Sequence, residues 1–351
     1  MSETIKRTIL VTGGAGFIGS NFIHYLLKEY PDLLRIINLD ALTYAGNLEN
    51  LEDIQDNPNH IFVHGSIEDK DLISKICTDY QIEGIINFAA ESHVDRSIAD
   101  AKPFIDTNIN GTLSLLTVAK NCGLQKYVQV STDEVYGSLS SNPEDKFTED
   151  TPLSPNSPYS AAKASADCFV RAFHHTYGMH TVITRCSNNY GPMQFPEKLI
   201  PLMILHAQSD KLLPVYGNGL QIRDWIHVLD HCKGVWKAYQ YGKSGEVYNF
   251  GGNSEYANID VVKLVLNLLN KPETLISYVK DRPGHDQRYA IDASKALREL
   301  GWQPTITFKD GLKQTVEWYV SHPEWCSHIV NGEYLEYYKK QYQQSVCQLY
   351  C

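Results

Sequence analysis

A chain of 351 residues that is 43% hydrophobic and 21% charged can bury a substantial core, and reads as one large or two moderate globular domains. A formal charge of −10 gives no general footprint for nucleic acid and disfavours an anionic membrane surface, but it leaves room for an anionic small ligand in a locally basic pocket. The opening "MSETIKRTILVTGG" enters a strand-like run without a signal-peptide pattern, and no apolar run is long enough to cross a bilayer. The eight cysteines (Cys77, Cys122, Cys168, Cys186, Cys232, Cys326, Cys347 and Cys351) show no CxxC pair or zinc spacing. Free thiols in the cytoplasm are the expectation. The adjacent His174 and His175 point to opposite sides of any helix, so no metal site is expected.

The first half alternates β-rich and helical stretches. "TILVTG" leads into "FIGSNFIHYLLKEY", where Phe17, Ile18, Phe22, Leu26 and Leu27 form a stripe at helical spacing. "RIINLD" (35–40), "HIFVHG" (60–65), "GIINFAA" (84–90) and "KYVQVS" (126–131) are further strands, with "DKDLISKICTDY" and "TNINGTLSLLTVAKNCG" as crossover helices. Such a pattern predicts an α/β fold, a Rossmann-type doubly wound parallel sheet covered on both faces. Residues 137–156, with four acidic residues and Pro143, Pro152 and Pro155, read as a long flap or rim loop. Ser157 and Pro158 then start a helix through "SPYSAAKASADCFVRAFHHTYG", and "HTVITRC" (180–186) is another strand. Beyond about residue 190 the texture is less regular. The expected organisation is residues 1–190 as the nucleotide-binding domain, 191–325 as a smaller α/β segment with elements returning to the sheet, and 326–351 as a tail.

"TGGAGFIG" places glycines at 13, 16 and 19 between a strand and a helix, the context of a dinucleotide fingerprint. Gly13 allows the tight turn, Gly16 the approach of a pyrophosphate and Gly19 close helix packing. The anion then meets amides at the helix start. Asp40, ending the second strand without an arginine after it, suits an adenosine ribose 2′-hydroxyl and favours NAD over NADP. Tyr159 and Lys163 in "YSAAK" lie one helical turn apart, and a neighbouring ammonium favours the phenolate as a proton acceptor. Asp133 and Glu134, after the strand "VQVST", read alone either as a solvated turn or as an acid and a base.

These motifs make the chain similar to the extended short-chain dehydrogenase/reductase superfamily. "LTYAGNL", "FAAESHVDRSI", "STDEVYG", "CSNNYGPMQFPEKLIP", "RDWIHV" and "DRPGHDQRYAID" narrow the resemblance to the dTDP-glucose 4,6-dehydratases, over nearly the whole chain. The resemblance implies oxidation at C4 of a nucleotide-linked glucose, with Tyr159 taking the proton, Lys163 holding the nicotinamide ribose and the hydride passing to NAD. Glu134 then removes the C5 proton, Asp133 protonates the departing C6 hydroxyl, Thr132 holds the C4 oxygen, and the hydride returns to C6. The implied cofactor groove comprises Gly13, Gly16, Phe17, Ile18, Gly19, Asp40, Ser66, Ile67, Ala89, Ala90, Ser92, Thr107, Ser131, Tyr159, Lys163, Cys186 and Asn188. On the substrate side the resemblance implies His93, Thr132, Asn188, Glu197, Lys198, Leu199, Tyr216, Arg223, Asn258, Arg282 and His285. Two positions depart from the family pattern: Ser66 stands where it has aspartate near the adenine, and Ala41 where it has lysine. The resemblance also implies a homodimer through helices containing 104–121 and 158–176. Alternative readings are a UDP-glucose 4,6-dehydratase, a nucleotide-sugar 4-epimerase or decarboxylase, and a non-catalytic NAD-binding regulator.

Overall fold

A computed structural model describes residues 7–330. The 331–351 part of the expected tail, including Cys347 and Cys351, lies outside the described residues. In chain order the elements begin β1 (Arg7–Thr12), α1 (Phe17–Glu29), β2 (Leu34–Asp40), β3 (His60–His64), α2 (Lys70–Asp79), β4 (Gly84–Asn87) and α3 (Val94–Ala99). One helical turn, α4 (Lys102–Phe104), runs through a π-helical stretch (Ile105–Gly111) into α5 (Thr112–Asn121). Then come β5 (Lys126–Thr132), a 3₁₀ turn (Asp133–Tyr136), α6 (Pro158–Tyr177), β6 (Thr181–Cys186) and β7 (Asn188–Tyr190). The remainder comprises α7 (Leu199–Gln208), β8 (Leu213–Tyr216), β9 (Ile222–His227), α8 (Val228–Tyr241), β10 (Val247–Phe250), β11 (Glu255–Ala257), α9 (Asn258–Leu268), β12 (Ile276–Val279), α10 (Ser294–Leu300), α11 (Phe308–Ser321) and α12 (Pro323–Ile329).

Seven strands form one sheet in the order β10-β6-β5-β4-β1-β2-β3, every pairing parallel. The strands are apolar on both faces because both are covered. Phe22, Ile23 and Leu26 of α1 pack with Val235 and Trp236 of α8 on one side. Ile73 and Ile76 of α2, Leu115 and Leu116 of α5 and Val170 of α6 fill the other. Strand order reverses between β1 and β4, so their carboxyl ends open a crevice, the usual ligand position in such a sheet.

The chain beyond residue 190 serves both parts of the molecule. β10 hydrogen-bonds β6 at the sheet edge and α8 covers one sheet face, whereas α7, α9, α11 and α12 enclose a separate core around Met203, Val262, Val265 and Tyr319. The helix read as starting at Thr107 instead includes a π-helical stretch. There Asn108 bonds Glu91 in both directions, at 2.9 and 3.0 Å, tying it to the loop after β4.

The 137–156 loop is sewn down rather than free as a flap. Arg288 donates to the carbonyls of Asn142, Pro143 and Asp145 at 2.8–3.1 Å, and the buried Phe147 stacks on Tyr136 with centroids 5.0 Å apart. Another staple centres on Asp230 of α8, whose carboxylate accepts from Thr305 N at 2.7 Å, Ile306 N at 2.8 Å and the Thr305 hydroxyl at 2.7 Å. Asp230→Ala leaves those donors without their acceptor, so urea unfolding is expected to show a loss of about 3–5 kcal/mol, the cost of breaking a buried charged network.

Candidate active site

The crevice is a cavity of about 350 Å³ bounded by the loops that leave β1 to β6. Gly13 follows β1 at φ +71°, and a Cβ there would come within 2.6 Å of the Ala89 amide, so only glycine lets the two loops meet. A Cβ on Gly19 would lie 2.2 Å from the Gly13 carbonyl, which explains the close seating of α1 under the turn. The α1 helix has no side-chain N-cap, leaving its first-turn amides toward the cavity for an anion. Asp40 accepts from Ala15 N and Leu42 N, each at 2.8 Å, which fixes its carboxyl at the groove's edge. Burial raises its pKa, and these two amides oppose the shift.

Every expected cofactor residue lines this cavity: Gly13, Gly16, Phe17, Ile18, Gly19, Asp40, Ser66, Ile67, Ala89, Ala90, Ser92, Thr107, Ser131, Tyr159, Lys163, Cys186 and Asn188. The predicted strand 84–90 ends at Asn87, which frees residues 88–92 to form part of the wall. Ser131 Oγ and Asn188 Oδ1 are buried without a hydrogen-bond partner, as groups awaiting a polar ligand would be. The groove therefore fits a dinucleotide on three counts: an open helix N-terminus, a placed carboxyl and orphaned polar atoms.

At the inner end, the Thr132 hydroxyl accepts from Glu134 N at 3.2 Å, capping the turn that presents both carboxyl groups. Asp133 is 1% exposed, and its Oδ2 has no partner. Burial first, and then the Glu134 and Asp224 carboxylates, push its pKa well above the usual carboxylate range. Burial also raises Glu134, but Arg282, Lys198 and Arg223 pull it back. Both groups are raised, but the surroundings hold the Asp133 proton more firmly than the Glu134 proton, an order that adjacency in sequence leaves open.

Tyr159 and Lys163 are both buried on α6. The effect expected of the lysine on the phenol is not the leading one: burial and Glu134 hold Tyr159 well above its ordinary pKa, opposed by a hydrogen bond with Thr132. Lys163 Nζ donates to the Val130 carbonyl at 2.6 Å, and burial lowers its pKa. Cys186 is an unreactive wall group, its thiol pushed up to about 12 by burial.

The substrate-side expectations divide. Asn188, Glu197 and Lys198 line the cavity, and Lys198 Nζ donates to the Ser92 carbonyl at 2.6 Å. Arg223 lies 4.3 Å from the Tyr289 ring centroid, while Asp95 links Arg282 (3.5 Å) to the Tyr216 hydroxyl (3.0 Å). His285 meets Asp281 at 2.6 Å, but burial and Arg282 lower its pKa to about 4, so at neutral pH it offers no positive charge to a diphosphate. His93 does not line the cavity; its Nδ1 caps α3 by accepting from Arg96 N at 3.4 Å. Leu199 turns its side chain into the C-terminal core, and Asn258 opens α9 with its amide on the Gln221 carbonyl. Glu197 is committed to protein partners, with Tyr44 at 2.9 Å and Arg96 at 3.3 Å. Sequence reasoning assigned no role to Tyr44, Glu91, Asp95 or Arg96, although "LTYAGNL" and "FAAESHVDRSI" contain them.

The chain is 51% identical to the dTDP-glucose 4,6-dehydratase of Xanthomonas campestris pv. campestris (strain B100) over 345 residues, covering 93% of this chain and 97% of that protein. The chain belongs to the dTDP-glucose 4,6-dehydratase family. A broader family model, GDP-mannose 4,6 dehydratase, matches residues 10–315. The crystal structure of the Bacillus anthracis str. Ames dTDP-glucose 4,6-dehydratase in complex with NAD superposes with TM-score 0.87 at 51% identity, covering 92% of this chain and 99% of that one. A Thermotoga maritima UDP-glucose 4-epimerase superposes with TM-score 0.82 at 30% identity, covering 90% and 99%. Family and epimerase neighbour thus share the scaffold.

Asp133 also gives a pH signature. A carboxyl whose folded pKa is raised contributes stability that is complete below its unfolded pKa of about 4 and lost as pH rises through the folded value. Asp133→Asn is therefore expected to raise Tm at pH 8 by about 1–2 °C, the shift that ~1 kcal/mol produces in a chain of this length. Little gain is expected near pH 4. Calorimetry at both pH values checks the sign.

Proposed function

We propose that this chain converts dTDP-glucose to dTDP-4-keto-6-deoxyglucose and water, with NAD regenerated in each cycle. The observation that carries the reading is the opposed surroundings of Asp133 and Glu134 at the end of a dinucleotide groove that also contains Tyr159. NAD bound in the groove supplies the acceptor for the C4 hydride and its donor to C6. Tyr159 takes the C4 hydroxyl proton as the phenolate while Thr132 holds that oxygen. Burial and Glu134 oppose the phenolate, and the positive charge of a bound nicotinamide ring would favour it. Oxidation at C4 acidifies the C5 proton, which Glu134 as carboxylate removes while Asp133 as carboxylic acid gives its proton to the departing C6 hydroxyl. When the hydride returns to C6, Glu134 gives the proton back to C5. The first-turn amides of α1, Gly16 and Asp40 hold the dinucleotide, with Lys163 at its inner ribose. Lys198, Arg223 and Arg282 supply positive charge for the sugar diphosphate.

Supporting the substrate assignment are relatives named dTDP-glucose 4,6-dehydratase at 47–51% identity. Thymine and uracil differ by one methyl group, worth about 1–3 kcal/mol of discrimination, so UDP-glucose is the control substrate. Mass spectrometry of purified protein with each nucleotide sugar is expected to show loss of one water from dTDP-glucose; water loss from neither would overturn the reading. Tyr159→Phe is expected to lower kcat by about 10²–10⁴-fold. Asp133→Asn should slow elimination more than C4 oxidation, so reduced nicotinamide should build up in a rapid-mixing absorbance trace.

We also propose a cytoplasmic homodimer. The six described cysteines are free thiols, and among the described residues no helix is long and apolar enough to cross a membrane. α5 and α6 lie side by side, and the outer face of α6 exposes Ala161, Cys168, Phe169 and Ala172, a small and apolar stripe suited to a second copy. Sedimentation is expected to give a dimer for the wild type and a monomer for Phe169→Arg.

A further inference from the structure

Three segments meet above the cofactor groove through Tyr44 and Arg96, which do not themselves line it, and Glu197, which does. Thr43, Ala45 and Gly46, in the loop after β2, form one wall; Phe195, Glu197 and Lys198 form another. Tyr44 spans the gap. Its hydroxyl donates to Glu197 Oε1 at 2.9 Å, and its ring meets Phe195 edge to face with centroids 5.6 Å apart. On the ring's face lies the Arg96 guanidinium from α3, 3.7 Å from the centroid, and Arg96 Nε donates to Glu197 Oε2 at 3.3 Å. The Glu197 side chain is 1% exposed, so both of these contacts work in a dry setting where charge-assisted hydrogen bonds are strong. Burial, with Glu197 adding to it, keeps the Tyr44 phenol protonated and able to donate.

This arrangement joins a loop adjoining Asp40 to a segment adjoining Lys198, the groove's adenosine side to its sugar side. We propose that Tyr44 and Arg96 act with Glu197 as a clasp that must open for the dinucleotide to leave, and so set the cofactor's residence time. They are positioning residues, acting through Glu197 and the two walls. The inference rests on the reaction proposed above. A hydride removed at C4 has to return to the same sugar at C6, and a cofactor that left between those steps would strand the oxidised intermediate. A closing element whose opening is slow compared with turnover meets that requirement.

The test is exchange without turnover. Protein loaded with isotope-labelled NAD is mixed with excess unlabelled NAD, and retained label is followed by mass spectrometry. Tyr44→Phe keeps the ring under Arg96 and removes only the hydroxyl, so exchange is expected to accelerate about 10- to 100-fold, the effect of one lost hydrogen bond to a charged group. Arg96→Lys keeps the charge, removes the planar stack and is expected to accelerate exchange by a smaller factor. In both variants the NAD-free protein should stay folded at the assay temperature with its unfolding midpoint lowered by no more than a few degrees, and activity lost on dilution should return with added NAD. Wild-type exchange rates in both variants would overturn the clasp, as would equal acceleration in a variant of matching NAD-free midpoint substituted far from the groove. Slow wild-type exchange that speeds up in Tyr44→Phe would sustain the clasp even if dTDP-glucose lost no water, so the two readings fail separately.

Discussion

The adjacent burial of Asp133 and Glu134 sets the conditions that the rest of the molecule has to meet. Two carboxyl groups in consecutive positions cannot both ionise cheaply away from water, and one of them is almost fully enclosed. The fold separates their fates by what it places around each. Asp133 faces other carboxylates, so its proton stays. Glu134 faces Lys198, Arg223 and Arg282, so its proton leaves more readily. These three cations lie 64, 89 and 148 positions beyond Glu134, just before α7, in β9 and in the loop after β12. The C-terminal part is therefore the electrostatic counterweight that makes the pair unequal.

Holding such a pair also demands stiffness. The 3₁₀ turn bearing the carboxyl groups is braced from below by Arg185, which pairs with Asp167 at 2.9 Å and lies 4.8 Å from the Tyr136 ring centroid. The Tyr136 hydroxyl donates to Asn249 of β10 at 2.8 Å, and the Asn249 amide donates to Glu149 of the sewn-down loop at 2.9 Å. Since Asp167 lies one turn beyond Lys163 on α6, Arg185 ties the helix of Tyr159 and Lys163 to the turn of Asp133 and Glu134. An error in that register would move all four groups relative to one another, and misplacement of this kind costs rate steeply.

Legibility in the sequence followed the range of the interactions. The glycine turn, Asp40 and the spacing of Tyr159 to Lys163 are local patterns, and local geometry alone brings each to the crevice once the parallel sheet forms. The extent of β4 and the π-helical stretch were not legible, because the bonds between Asn108 and Glu91 decide them across 17 positions. His93 illustrates the same limit: its residue type suits a sugar contact, but cap geometry turns its ring to the α3 amides. Leu199 follows the apolar core that α7 must cover, which no motif at the helix start discloses. The proton order of Asp133 and Glu134 was equally hidden, since it depends on cations brought in by tertiary folding.

Tyr44, Arg96 and Glu197 belong to that long-range class, joined across 101 and 153 positions. Glu197 has the residue type of a sugar ligand, yet both carboxylate oxygens meet protein groups. An ion pair this enclosed contributes little net stability, because desolvation offsets most of the attraction. Its value lies in geometry: a planar guanidinium on an aromatic face, with a phenol donating to the same carboxylate, permits few alternative arrangements. Such a contact is more informative about how the walls of the groove are held relative to one another than about how stable the fold is. Where chemistry requires the same hydride to leave and return, wall position is the property that counts.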